Sequence, residues 1–248
     1  MTRVAVITGA AGGIGGAVVD RLVAEDWRIV AVDVRGGELA KQAARWPDQV
    51  LAEVADVRDQ RALTRAVAHA EREFGGVDAA VGCAAVMAGG KPLWETEDTD
   101  WDALFEHGVR GIFHLARAAV PALLRRPEPR SGRFVAIASA AAHHGLWHLA
   151  GYNAAKHAVV GLIRGLASDL RGTGVTATAV SPGSTRTAML DATAELYQLG
   201  DVEEFAQHQL IERLLDPEEV AAAVCWLCSA QSSAITGTVV HADGGFTA

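Results

Sequence analysis

The stretch Thr8-Gly9-Ala10-Ala11-Gly12-Gly13-Ile14-Gly15 lies between a short apolar run, residues 4–8, and an amphipathic stretch, residues 13–25. The apolar run predicts a buried strand, and the stretch after it has helical spacing. Glycines between a strand and a helix let the backbone turn tightly and approach a pyrophosphate, which the free N–H groups of the helix N-terminus then bind. The sequence therefore predicts a dinucleotide-binding turn, with contacts from Gly9, Gly12, Gly13, Ile14 and Gly15.

An acidic residue, Asp33, ends the second predicted strand, twenty residues after Gly13. A carboxylate at this distance accepts hydrogen bonds from the hydroxyls of the adenosine ribose and repels a 2′-phosphate. Neither Gly12 nor Val34 is basic, and we expect Arg35 to point to solvent. The pattern favours NAD over NADP as the cofactor; the alternative is that Asp33 only caps a loop.

The rest of the chain repeats this alternation of strand and helix. Strands are predicted at residues 4–8, 28–32, 50–54, 79–81, 133–138, 175–180 and 239–241, and helices at 13–25, 61–74, 99–124, 151–170 and 217–228. Buried strands alternating with helices are typical of a parallel sheet with helices on both faces. We therefore expect an α/β fold, a Rossmann-like doubly wound parallel sheet, with residues 1–248 forming a single domain.

Residues 187–215 have a different pattern, because apolar and acidic side chains are mixed there. They predict two short helices with an apolar face. We interpret this segment as a lid over a substrate, and the alternative is a surface contact between subunits. The helix that follows has a clear start, since Asp216 is a capping residue, Pro217 fits the first helical position and Glu219 completes a capping box.

Composition limits the class of partner. The 248 residues carry a net charge of -8, which argues against nucleic acid as a partner, and no apolar run reaches the roughly 18 residues that span a membrane. The N-terminus shows no secretory signal, so a cytoplasmic protein with reduced thiols is expected. Cys225 and Cys228 form a CxxC within an apolar helical run, without a second Cys/His pair nearby. We expect core cysteines here and no metal site.

A second cluster of chemically useful side chains lies in the second half of the chain. Tyr152 and Lys156 are four residues apart, which places both on one face of a helix. An ammonium near a phenol favours the phenolate, so we expect Lys156 to lower the pKa of Tyr152 toward neutrality and to make it a general acid or base. Ser139, at the end of a predicted strand, can donate a hydrogen bond to a substrate oxygen.

With these motifs, the chain resembles the one-domain branch of the short-chain dehydrogenase/reductase family over essentially its whole length. The resemblance extends to Ala55-Asp56-Val57, to residues 181–187 and to residues 241–245. It implies that Ser139, Tyr152 and Lys156 are catalytic and that Lys156 also binds the nicotinamide ribose. It implies a homo-oligomer, a dimer or tetramer, with helices 99–124 and 151–170 at the subunit contacts. The further cofactor contacts that it implies are Asp56, Val57, Ala84, Pro182, Gly183, Thr185 and Thr187.

Two positions depart from the pattern of the family. The turn after the fourth strand is Gly82-Cys83-Ala84-Ala85 in place of Asn-Asn-Ala-Gly, and its small side chains still allow close approach of the adenosine. Gly108 stands where many members have an asparagine that supports a water-linked proton relay from the lysine. A water molecule bridging the gap would preserve the relay. We expect the adjacent His107 to be an ordinary packed or surface residue.

The substrate is expected to be a small hydrophobic secondary alcohol or ketone. The candidate walls of its pocket are apolar or aromatic, with His148 as a polar contact and Arg186 as a candidate for binding a carboxylate; the wall residues are Met87, Trp94, Leu146, Trp147, Met189, Leu190 and Tyr197. Two alternatives stay open: an NADPH-dependent 3-oxoacyl reductase, and a dinucleotide-binding regulator with little turnover.

Overall fold

The computed structural model describes residues 2–248 and contains one seven-stranded sheet in which every strand pairing is parallel. The strands are β1 (Val4–Thr8), β2 (Arg28–Asp33), β3 (Val50–Val54), β4 (Ala79–Gly82), β5 (Arg133–Ile137), β6 (Thr176–Pro182) and β7 (Val239–Ala242). Their order in the sheet is β3-β2-β1-β4-β5-β6-β7, so the chain reverses its direction of winding after β3. This confirms the doubly wound, Rossmann-like sheet in a single domain.

Helices cover both faces of the sheet, each over its own hydrophobic core. One core includes Leu63, Leu115 and Ile163, and the other includes Val18, Leu39 and Val224. Helices α3, α5 and α6 thus cover one face, and α1, α2 and α8 cover the other. The helices are α1 (Gly13–Ala24), α2 (Gly36–Ala44), α3 (Gln60–Phe74), α4 (Asp98–Leu104), α5 (Gly111–Arg125), α6 (Ala150–Asp169), α7 (Ala188–Leu196) and α8 (Pro217–Cys228).

Two parts of the helical prediction need correction. The short helix α2 was not predicted, because its nine residues bury a single apolar side chain, Leu39. The predicted helix 99–124 is helical throughout, but it is not a regular α-helix, since a π-helical turn, Phe105–Arg110, lies between α4 and α5. This turn contains Gly108 and precedes Gly111, and glycine weakens a helix by about 1 kcal/mol. Such turns occur often at functional sites.

The segment 187–215 contains two short helices, as predicted: α7 and a 3₁₀ helix, Val202–His208. It has a small apolar core of its own, formed by Ala194, Phe205 and Leu214. Both ends of the segment meet at one place, because Thr185 pairs with Leu215 in an isolated parallel bridge. The segment therefore leaves the sheet and returns to it at a single point.

The two cysteines of the CxxC motif are buried in α8 and belong to the core. Burial raises the pKa of Cys228 to about 12, which leaves the thiol protonated. Across residues 2–248, no group of three or more His, Cys, Asp and Glu side chains is arranged to hold a metal ion. Of the helices described, none is both long enough and apolar enough to cross a bilayer.

Candidate active site

A cavity of about 1180 Å³ lies along the carboxyl ends of the strands. Ligand sites in proteins commonly measure about 300–1,000 Å³, so this cavity has room for a large ligand and a small one together. All of the predicted site residues line it, although they come from seven separate segments of the chain; they are Gly9, Gly12, Gly13, Ile14, Gly15, Asp33, Asp56, Val57, Ala84, Ser139, Tyr152, Lys156, Pro182, Gly183, Thr185 and Thr187.

The glycine turn forms one wall, and its glycines are required by close contacts. Gly9 has a φ of +68°, and a Cβ there would lie 2.6 Å from the backbone nitrogen of Ala84. A Cβ on Gly13 would lie 2.5 Å from the methyl group of Thr187. Helix α1 begins at Gly13 without a side-chain cap and without an acidic residue in its first turn. Its N-terminal N–H groups and positive dipole end therefore suit an anion such as a pyrophosphate.

Asp33 is buried at the end of β2 and is held by three hydrogen bonds. Its carboxylate accepts one from the backbone N–H of Ala11 at 3.0 Å and two from Arg35, from the backbone N–H at 3.0 Å and from Nε at 3.3 Å. Burial raises the pKa of Asp33, but the bonds from Arg35 and Ala11 outweigh it and lower the pKa below its usual value. The carboxylate therefore stays charged at neutral pH.

The prediction that the Arg35 side chain points to solvent is wrong. Its side chain is half-exposed, but it turns back to pair with Asp33, and it lines the cavity beside the glycine turn. A Cβ built on Gly12 would lie 3.5 Å from an Arg35 terminal nitrogen. A cation and an anion thus stand together at the end of β2. Sequence spacing missed this arrangement because the side chain has to fold back over two residues.

Two further side chains stand beside Asp56. Arg58 pairs with its carboxylate at 2.6 Å, and the hydrogen bonds and charge of Arg58 lower the pKa of Asp56. His107, which was expected to be an ordinary histidine, also lines the cavity. Its Nδ1 lies 2.8 Å from the carbonyl oxygen of Ala103. A carbonyl only accepts, so Nδ1 carries the proton, and Nε2 of the neutral ring is left as an acceptor.

Gly108, at the position of the relay asparagine, is buried in the π-helical turn. A Cβ built on it would meet no atom within 4 Å. The protein therefore leaves open space where a side chain would begin. Gly111 differs, because a Cβ there would lie 3.0 Å from the side chain of Val57.

Ser139, Tyr152 and Lys156 come together where β5 ends and α6 begins. The ammonium of Lys156 lies 5.6 Å from the ring centre of Tyr152 and donates a hydrogen bond to the carbonyl of Ile137 at 3.0 Å. The Ser139 hydroxyl accepts a hydrogen bond from the N–H of Ala141 at 3.2 Å. The three side chains line the same part of the cavity, because the parallel sheet places the end of β5 beside the start of α6.

The electrostatics of this trio differ from the expectation. Burial raises the pKa of Tyr152 above its ordinary value, and the neighbouring Ser139 side chain only partly offsets this. Burial also lowers the pKa of Lys156 to about 8. Desolvation is thus the main cause of both shifts. The phenol is protonated at neutral pH and can act as an acid toward a carbonyl oxygen.

Beyond the trio, the cavity walls are mostly apolar. Of the predicted wall residues, the ones that line the cavity are Met87, Leu146, Trp147, Met189, Leu190 and Tyr197. Trp94 does not line it and is 84% exposed. His148 stacks on Trp147 outside the lining, and Arg186 pairs with Glu203 and Asp216. Phe205, His208 and Phe246 were missed, because nothing in the local sequence links these positions to the cavity.

Comparison with known proteins identifies the family of the chain. A family model described as enoyl-(acyl carrier protein) reductase matches residues 9–247. A-factor type gamma-butyrolactone 1′-reductase (1S-forming) of Streptomyces virginiae is 34% identical, covering 99% of this chain and 95% of that protein. 2,3-Dihydro-2,3-dihydroxybenzoate dehydrogenase of Bacillus subtilis strain 168 is 33% identical, covering 99% and 96%.

A solved structure shows the same fold. The 3-ketoacyl-(acyl-carrier-protein) reductase of Brucella melitensis, complexed with NADH, aligns with a TM-score of 0.90 at 28% identity, covering 99% of this chain and 98% of that one. The sheet, the glycine turn and these matches define an oxidoreductase of the Rossmann-like class. Within that class, the chain belongs to the short-chain dehydrogenase/reductase family, whose members bind a nicotinamide dinucleotide.

Proposed function

We propose that this protein transfers a hydride between NAD(H) and a small hydrophobic secondary alcohol or ketone. One observation carries the proposal: Ser139, Tyr152 and Lys156 meet in the cavity between a glycine turn suited to a pyrophosphate and an apolar wall. The glycine turn would bind the cofactor, the three side chains would transfer the proton, and the apolar wall would bind the substrate. A regulator without turnover would not need the trio.

The residues that would hold the cofactor follow the length of the cavity. The glycine turn would bind the pyrophosphate, Asp33 the adenosine ribose, and Asp56, Val57 and Ala84 the adenosine. Lys156 would bind the nicotinamide ribose, and the loop after β6 would hold the nicotinamide through Pro182, Gly183, Thr185 and Thr187. When bound, the nicotinamide supplies or accepts the hydride that the substrate carbon gains or loses.

The chain's own residues handle the proton. In reduction, the Tyr152 hydroxyl donates its proton to the carbonyl oxygen, which becomes the alcohol hydroxyl; in oxidation, the phenolate accepts it back. Ser139 donates a hydrogen bond to the same oxygen and orients it. The Lys156 ammonium stabilises the phenolate, because the two groups lie close together in a buried site. Burial raises the pKa of Tyr152 and so favours the acid form that reduction needs.

The 3-oxoacyl reductase alternative has two observations in its favour: the Brucella structure, and Arg35 beside the glycine turn, where a cation would suit a 2′-phosphate. Negative charge at the cavity mouth argues against the 3-oxoacyl reductase alternative. The segment 187–215 contains six acidic residues and one arginine, and Arg213 is paired with Glu219. A substrate on the phosphate-linked arm of a carrier protein would bring negative charge toward this surface. A small neutral substrate avoids that repulsion.

We further propose that residues 187–215 act as a lid. The segment starts and ends at the Thr185–Leu215 bridge, and it contributes Met189, Leu190 and Tyr197 to the cavity wall. Movement about the bridge would open the substrate end of the cavity without disturbing the sheet.

The test begins with binding of NADH and NADPH to the purified protein, followed by turnover of secondary alcohols and ketones at the absorbance band of the reduced nicotinamide. We expect tighter NADH binding and turnover of hydrophobic members of the panel. The Tyr152→Phe variant should keep its NADH affinity and lose at least about 100-fold in kcat, the usual contribution of a general acid or base. Unchanged turnover in this variant would rule out Tyr152 as the proton donor.

A further inference from the structure

Five aromatic side chains form an unbroken series around the substrate end of the cavity: Trp147, Tyr197, Phe205, His208 and Phe246. We call this series the aromatic arc. Its successive ring centres are 6.0, 6.1, 6.2 and 5.9 Å apart, within the range of interacting aromatic pairs. Three distant segments contribute to it, namely the loop after β5, residues 187–215 and the C-terminal turn.

A hydrogen bond joins two of the three segments of the arc. The hydroxyl of Tyr197 donates to the backbone carbonyl of Trp147 at 2.5 Å and so joins the lid segment to the loop after β5. Trp147 is stacked on His148 with ring centres 3.5 Å apart. Its indole nevertheless stays 70% exposed while lining the cavity. A large apolar surface held in place and left open to a pocket is suited to cover by a ligand.

The charges near the arc disfavour a negatively charged substrate. Glu204 also lines the cavity, whereas the two arginines in the lining, Arg35 and Arg58, are paired with Asp33 and Asp56 in the adenosine region. Arg186 is held by Glu203 and Asp216. An anionic substrate would therefore meet a carboxylate and no unpaired arginine at this end of the cavity.

We propose that the aromatic arc makes the enzyme selective for ketones and alcohols that carry no negative charge and have a flat ring beside the reacting carbon. This inference rests on the proposed hydride transfer and adds the shape of its substrate. A flat ring gains aromatic contacts worth about two- to tenfold in affinity for each ring that it meets. An open chain of equal carbon number forms no such contacts and loses more conformational freedom on binding.

The experiment compares two eight-carbon ketones, acetophenone and 2-octanone, with NADH as the reductant. We expect the wild-type kcat/KM to favour acetophenone by about tenfold or more. Trp147→Leu and Phe246→Leu should each reduce that ratio about fivefold, because each removes one ring contact. Phe246→Tyr keeps a ring and should keep the ratio. Trp94→Leu is the matched control, since Trp94 is exposed and lies outside the cavity lining.

A binding measurement separates this inference from the proposed function. Calorimetric titration of the NADH-loaded Tyr152→Phe protein with each ketone should show about tenfold tighter binding of acetophenone. Equal affinities, or a wild-type ratio that the two leucine variants leave unchanged, would overturn the ring preference while the hydride-transfer proposal stands. Ring-selective binding without turnover of any ketone by the wild-type protein would support the arc and count against the proposed function.

Discussion

The pairing of Asp33 with Arg35 puts opposite charges at the position that we propose binds the adenosine ribose. In that role Asp33 would repel a 2′-phosphate, and Arg35 would partly neutralise that repulsion. The preference for NADH over NADPH should therefore be smaller than Asp33 alone would impose. The spacing from the glycine turn explains Asp33, but the contribution of Arg35 depends on a side chain that folds back.

Removing Arg35 should sharpen the choice of cofactor. In Arg35→Ala, we expect NADPH to bind about tenfold more weakly while NADH changes less than threefold, because Asp33 then acts unopposed. Fluorescence titration with both reduced cofactors measures this. The control is Arg58→Ala, which removes the paired cation of Asp56 and should not separate the two cofactors. Equal losses for NADPH and NADH in Arg35→Ala would contradict the role given to this arginine.

Lys156 should reduce the stability of the cofactor-free protein at neutral pH. Its pKa is about 8 when folded, against 10.5 for the ordinary side chain, so the folded state bears the cost of a buried charge below pH 8. Lys156→Met should therefore be more stable than the wild type at pH 7, by at most about 3 kcal/mol. Between pH 8 and 10.5 the folded protein has released this proton while the unfolded chain retains it, and the difference should shrink.

Urea unfolding of both proteins from pH 7 to 10.5, without cofactor, measures the effect of Lys156. All other titratable groups are the same in the two proteins. The difference between their free energies of unfolding therefore reports on the Lys156 ammonium alone. A difference that stays constant with pH would show that burial of the charge is not its cause.

At the level of elements, the π-helical turn Phe105–Arg110 has two consequences for the site. It buries Gly108 beside open space, and it places His107 in the cavity lining. A glycine at this position removes the carboxamide that many family members have. The open space leaves room for a water molecule, which is a sufficient bridge where polar partners are present.

Replacing Gly108 with asparagine should therefore have little effect on stability and on turnover. We expect Gly108→Asn to leave the free energy of unfolding unchanged or to raise it by up to about 0.5 kcal/mol, since a Cβ meets no neighbour there and asparagine is a better helix former than glycine. Its kcat should stay within about threefold of the wild type. Gly111→Asn, where Val57 blocks the Cβ, is the matched control and should lose about 1–3 kcal/mol. A tenfold rise in kcat for Gly108→Asn would show that the missing carboxamide limits proton transfer.

The lid proposal predicts a local change in dynamics. Residues 188–212 lie between the two ends of the Thr185–Leu215 bridge and have a small core of their own, so they should open more readily than the sheet. Amide hydrogen exchange in this segment should slow by about tenfold or more when NADH and a ketone analogue bind. Helix α3, which packs in the main core, provides the reference. Equal protection of both regions with and without ligand would argue for a rigid wall.

For the whole molecule, the resemblance to the family implies a dimer or tetramer, and the surface of the α4–α5 region has features that suit a subunit contact. Trp101 and Phe113 are 39% and 45% exposed there. Exposed aromatic side chains on neighbouring helices are typical of surfaces that become buried on association. We propose that this region lies between two subunits, as predicted for helix 99–124.

The mass of the protein in solution tests this directly. Light scattering coupled to size-exclusion chromatography should give two or four times the 26.0 kDa of one chain. Phe113→Arg should shift the mass toward a smaller species, because a charge would be buried at the contact. Val54→Arg, at a more exposed apolar position (64% exposed) on the edge strand β3, should not. A monomeric wild type would exclude the proposed interface.

The local sequence was sufficient to predict the parallel sheet, the glycine turn and Asp33 at the end of β2. It was also sufficient to predict the positions of Ser139, Tyr152 and Lys156. Each of these depends on patterns that span few residues: β-branched runs, glycines between a strand and a helix, and a spacing of four on one helix face. The parallel sheet then brings the ends of its strands to one edge, so residues far apart in the chain meet without further information.

The other features of the site were decided only by the tertiary structure. The return of Arg35 to Asp33 depends on the direction of one side chain, whereas the raised pKa of Tyr152 and the aromatic arc depend on burial among groups that are distant in the sequence. Burial and side-chain direction are properties of the packed chain. A local sequence pattern cannot specify them, because some of the neighbours that create them are as far apart in the sequence as Trp147 and Phe246 of the arc.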